Sequence, residues 1–149
     1  MDSIKINGAE SAALESFSVK MDGNTTVEVT FTQLPATPPT LTTFANTYVP
    51  EDKTASVTFG TVAQGNNTTV KEFGIVYSAE DGTDPQIGKT GCYKLAAKKA
   101  LSTNGHYGIE IEGDLLAHTS YYTRTYVIYE ATDGTENTIY GAMKNIQLQ

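Results

Sequence analysis

This sequence predicts an antiparallel all-β chain: a sandwich or barrel of short strands preceded by an N-terminal hairpin or arm. Three observations lead there. Tyr outnumbers Phe nine to five, Trp is absent, and Thr and 13 scattered Gly fill much of the rest, a mix that suits strands and turns. Apolar residues repeat at every second position in short runs, and Asp-Gly or Asn-Gly pairs separate those runs. The chain of 149 residues is about one domain long. At that length ~68–70% of the unfolded surface can be buried without a metal or disulfide. No apolar run approaches the ~18 residues of a membrane span.

The elements follow in order. Ala9 to Leu14 fits either one helical turn or an extended arm. Phe17, Val19 and Met21 alternate, as do Val27, Val29 and Phe31, with Asp22-Gly23 between them; this reads as a hairpin. Pro35, Pro38 and Pro39 then exclude a central strand and mark a stiff linker or an edge crossing. Residues 1–45 are thus expected to form an N-terminal anchor segment, and 46–149 the sandwich. Within the sandwich, Ala55–Phe59 and Phe73–Tyr77 read as strands, the second apolar on both faces and so central. Tyr93–Ala97 fits helix or strand. Tyr107–Glu112 alternates with Tyr107, Ile109 and Ile111 inward. Tyr121–Tyr129 is the longest run, and Asp133-Gly134 turns into Thr138–Tyr140, with Ile146 and Leu148 last.

Charge narrows the function. The net charge is −7 and Arg124 is the sole arginine, which disfavours nucleic acid and anionic membranes. Lys94, Lys98 and Lys99 form the one basic cluster, too small for a binding footprint and best read as a solvated face. Cys92 has no possible intrachain partner; it reads as a small buried hydrophobe. Met1-Asp2-Ser3 opens a polar stretch lacking the regions of a signal peptide. The expectation is either a module of a longer exported protein or one that reaches the outside without secretion, such as a virion component freed by lysis.

Residues 113–126, GDLLAHTSYYTRTY, resemble a segment of fibronectin type III-like (immunoglobulin-like) β-sandwich modules, especially bacterial ones. Leu115, Thr119 and Tyr121 match that segment, while Ala117 stands where the family usually has Pro. Glu72–Ser78 resembles the family's second core strand, and Asp133-Gly134-Thr135 with Tyr140-Gly141 its last hairpin. The likeness covers about residues 54–147. It implies a tyrosine corner, with the Tyr121 phenol in the core and its hydroxyl bonded to upstream backbone. Thr123, Thr125 and Val127 would then face inward, and Tyr122, Arg124 and Tyr126 outward. A one-residue slip would exchange the two faces.

Reactive constellations are thin. His106, His118 and Ser120 do not converge. Glu110 and Glu112 share a strand face about 7 Å apart, which suits a paired-carboxylate site and equally a solvated face. Asp81 and Asp84 are weak calcium candidates in a loop without the full spacing of a calcium loop. Asn24, Asn66 and Asn67 open glycosylation sequons that also read as turns. No cofactor and no catalysis are expected. The expected role is an interaction or structural module on an extracellular assembly, either a phage capsid-decoration or fibre protein or a bacterial surface adhesion module. Its partners would be capsid, fibre or cell-surface proteins. Tyr122, Arg124 and Tyr126 form the expected contact stripe, since Tyr and Arg dominate hot spots; the competing expectation has that face packed under the N-terminal hairpin. A glycan-binding module, or an accessory domain of a polysaccharide-degrading enzyme, is the alternative. The N-terminal segment is the candidate for homo-oligomerisation.

Overall fold

The computed structural model describes residues 3–11, 16, 18–21, 23–44, 48–79, 84–112 and 120–147. Among these there is no helix, and the strands form three antiparallel sheets that do not close into a barrel. The chain divides into two compact units, Met1–Pro35 and Ala36–Gln149, earlier than the expected 45/46 boundary. The reason is β4 (Thr40–Thr43), which follows the prolines and pairs with the sandwich.

The first unit holds β1 (Ser3–Ile6), β2 (Ala9–Ser11) and β3 (Val27–Thr30), in the order β2-β1-β3. This corrects the expected hairpin. Val27–Thr30 pairs with Ser3–Ile6, and residues 18–21 form no strand; Phe17 and Asp22 lie outside the described residues. The cause is local. Asn7 (φ 51°) and Gly8 (φ 81°) form the two-residue turn with both φ positive that matches strand twist, so β1 is claimed by β2 on one side and β3 on the other.

The second unit is sandwich-like. One sheet is β4, β5 (Ala55–Ala63) and β8 (His106–Glu112), in the order β4-β5-β8. The other runs β10 (Glu136–Tyr140), β9 (Ser120–Glu130), β6 (Thr69–Ser78), β7 (Cys92–Ala96), with β11 (Lys144–Gln147) also on β9. Residues 92–96 are therefore strand, settling the helix-or-strand ambiguity. β6 lies between β9 and β7, as its two apolar faces require.

Ile75, Tyr77, Ile111, Tyr121 and Ile146 form the buried cluster between the sheets. Around it the core is unusually rich in hydroxyls. Thr123 and Thr125 face inward and are fully buried, as the alternation predicted. Their burial is tolerated where a partner exists, because an unpaired buried hydroxyl costs about 1–3 kcal/mol. Thr43 and Thr125 hydroxyls lie 3.0 Å apart, and the Thr125 amide donates to Thr43 Oγ1 at 2.9 Å. Tyr121 bonds Ser56 across the sandwich. The Thr58 and Thr123 hydroxyls are buried with no hydrogen-bond partner within reach among the described residues.

Tyr121 thus anchors the core, and the upstream backbone of the expected tyrosine corner lies outside the described residues. Its hydroxyl reaches Ser56 of the facing sheet, an inward position of β5. Leu115, Ala117, Thr119 and His118 lie outside the described residues.

Candidate functional site: two outer sheet faces

The outer face of the larger sheet carries the expected contact stripe, and the chain closes most of it. Tyr126 is 0% exposed. Its hydroxyl donates to Glu72 Oε1 at 2.8 Å, and the Lys94 ammonium reaches the same oxygen at 2.8 Å while lying 5.9 Å from the Tyr126 ring centroid. The register explains this: Gly74 lies directly opposite Tyr126 on one side and Ala96 on the other, so two small residues leave room for the ring to lie flat. Lys94 holds the Glu72 carboxyl below its ordinary range, with help from the Tyr126 hydroxyl. Burial pushes the Tyr126 phenol up, and the neighbouring Glu72 carboxylate adds to it.

Arg124 is equally engaged. Its Nη1 bonds Asp84 Oδ1, its Nε donates to the Gly141 carbonyl at 2.9 Å, and its guanidinium lies 4.7 Å from the Tyr140 ring centroid. The Tyr140 hydroxyl accepts the Ile87 amide at 3.1 Å, and Pro85 between these contacts is fully buried. The segment after β6 is thereby pinned over the sheet. The Tyr122–Arg124–Tyr126 stripe is corrected accordingly. Tyr126 is core, Arg124 is a clamp with only 17% of its side chain exposed, and Tyr122 alone stays half-open. Asp84 faces a cation the chain itself supplies. Its carboxyl is held low by the Gln86 amide and then by Arg124. Asp81 lies outside the described residues, and no group of three or more His, Cys, Asp or Glu among the described ones could hold a metal.

The smaller sheet presents the opposite picture. Successive rows on its outer face are Tyr48–Val57–Glu110, Phe44–Phe59–Gly108 and Thr42–Thr61–His106. Tyr48 is 60% and Phe59 39% exposed. Phe44 and His106 stack with centroids 6.0 Å apart. A side chain at Gly108 would press on the Phe59 ring and on Val57, so its absence lets that ring lie across the sheet. The result is an aromatic strip bordered by Glu110 and Glu112, both exposed. Those two carboxylates join a surface and also line a groove shared with Ser102 and His106. The strip was hidden in the sequence. Tyr48 sits beside the Pro50-Glu51-Asp52 break, and alternation in Ala55–Phe59 does not say which face meets water.

A groove of about 690 Å³ opens between the edge strands β7 and β8, lined by Leu95, Lys98, Lys99, His106, Tyr107 and Glu110 among others. Lys98 and Lys99 are exposed there, whereas Lys94 belongs to the Tyr126 cluster. Tyr107 closes the inner end, donating to the Gly74 carbonyl at 2.8 Å and packing edge-on against Phe73. Burial pushes its phenol up. Cys92, expected to be buried, is half-buried at the start of β7. No family model matches the chain, and neither the curated proteins nor the solved structures contain a significant match to it.

Proposed function

We propose that this chain is a non-enzymatic interaction module with a fibronectin type III-like topology, attaching to its partner through the outer face of the β4-β5-β8 sheet. The family reading is supported by strand order. The chain crosses between sheets after β5, β7 and β8, and β7 joins β6 rather than β8, as in fibronectin type III-like modules and unlike constant-type immunoglobulin domains. One observation carries the functional reading: the chain's own residues close one outer sheet face, whereas the other leaves Tyr48 and Phe59 exposed side by side with Phe44. Clustered exposed aromatics are where hot spots form. Display on a virion or a bacterial surface is carried over from the sequence.

A second reading has a specific observation behind it. Tyr48 and Glu110 share one row on either side of Val57, placing an aromatic ring and a carboxylate acceptor on the same face two strand spacings apart. A pyranose could use both, stacking its C–H face on the ring and donating hydroxyls to the acid.

The test offers the immobilised chain to purified virions, bacterial envelopes and a glycan array, as wild type and as Tyr48→Ala/Phe59→Ser. The expected result is retention on virions or envelopes, weakened about thirtyfold or more by the double substitution at unchanged melting temperature. Retention on glycans alone would favour the second reading. Binding indifferent to the double substitution would overturn both.

A further inference from the structure

The first unit poses a problem of its own, separate from the contact face above. Ile4 is its one fully buried hydrophobic side chain among the described residues, while Met21, Val27, Val29, Phe31 and Leu34 are exposed. A unit ending at Pro35 is smaller than the ~40 residues below which a disulfide, a metal or oligomerisation is usually needed. The only cysteine, Cys92, belongs to the other unit. A second copy of the chain, present whenever the chain is present, can supply burial for these side chains.

The edges of the sheet differ. β2 has three residues, and its Glu10 is paired with Lys5 of β1 at 3.3 Å, a short charged edge of the kind that resists pairing. β3 is the other terminal strand of the β2-β1-β3 order, and among the described residues no strand pairs with its outer edge. Its sequence is self-complementary. In a two-fold antiparallel pair with Val29 opposite Val29, Val27 falls opposite Phe31 and Glu28 opposite Thr30. Val27 (41% exposed), Val29 (38%) and Phe31 (71%) then form one apolar row across the axis. Of the two neighbouring registers that keep the faces aligned, one sets Glu28 against Glu28, which like-charge repulsion disfavours, and the other, with Thr30 opposite Thr30, sets residues 27–29 against 31–33, beyond the end of β3.

We infer that two copies of the chain pair through the open edge of β3, about a two-fold axis at Val29, joining two three-stranded sheets into one of six strands. An interface of this kind is isologous, each copy giving the same patch.

The test uses the full chain. Light scattering on wild type is expected to give twice the 16.0 kDa chain mass. In a Cys92→Ser background, Val29→Cys lies opposite itself and is expected to form a disulfide-linked dimer on mild oxidation. Thr30→Cys, opposite Glu28, is expected to stay largely uncrosslinked. Thr30→Glu, an exposed change that sets two like-charge pairs across the axis, is expected to weaken the dimer about tenfold. A monomeric wild type, or crosslinking at position 30 as efficient as at 29, would overturn the inference. So would a dimer indifferent to Thr30→Glu, which would point to another surface or to a strand from a different protein.

Discussion

Tyr126→Ala is expected to destabilise the second unit by about 3–5 kcal/mol, the range for truncating a fully buried aromatic, and to lower its melting temperature by ~10 °C or more. The magnitude follows from three losses at once. The ring fills the space left by Gly74, so its removal opens a cavity between the sheet and Lys94. Glu72 keeps Lys94 but loses the Tyr126 hydroxyl. The Lys94 ammonium loses the ring beneath it. Tyr126→Phe, which keeps the ring, is expected to cost only ~1 kcal/mol, the net value of one hydrogen bond. Chemical denaturation measures both. An alanine variant within ~0.5 kcal/mol of wild type, the usual range for surface changes, would show Tyr126 to be a surface residue after all.

Gly74→Ala is expected to cost about 3 kcal/mol, at the upper end for overpacking a core. An added methyl group would run into the Leu95 carbonyl oxygen, would stand 2.9 Å from Ala96 Cα, and would press at 2.9 Å on Tyr126 Cε1. Two of these obstacles are backbone and cannot rotate away. Gly74 cannot shift toward the core either, because its carbonyl accepts the Tyr107 hydroxyl of the facing sheet. β7 is an edge strand, so it is the element that yields. Hydrogen exchange should therefore quicken at residues 92–96 while β5 and β8 stay protected. Unchanged exchange across β7 together with an unchanged melting curve would refute the close packing described.

Much of the sandwich was legible because its signals are local. The apolar run Phe73–Tyr77 and the alternation in Tyr107–Glu112 and Tyr121–Tyr129 name strands directly, and inward Thr123 and Thr125 were read correctly despite their polarity. Thr43, the partner of Thr125, and Ser56, the partner of Tyr121, were not readable, since each is supplied by the other sheet. In the first unit Asn7-Gly8, flanked by Ser3–Ile6 and Ala9–Ser11, was the decisive turn signal, and the stronger apolar alternation further on obscured it. The contact stripe failed for a different reason. Alternation placed Tyr122, Arg124 and Tyr126 on an outer face correctly, but what covers that face comes from Glu72, Asp84, Pro85 and Lys94, distant in sequence. The Tyr48–Phe59 strip was missed because its exposure depends on sheet order and on the bare backbone of Gly108.

The account stands on which outer face belongs to the core and which meets solvent. Hydroxyl-radical footprinting of the intact, folded chain, read residue by residue by mass spectrometry, addresses this directly. Tyr48 and Phe59 should oxidise almost as readily as in the unfolded chain while Tyr126 stays protected. Oxidation of Tyr126 at the rate of Tyr48 would contradict it.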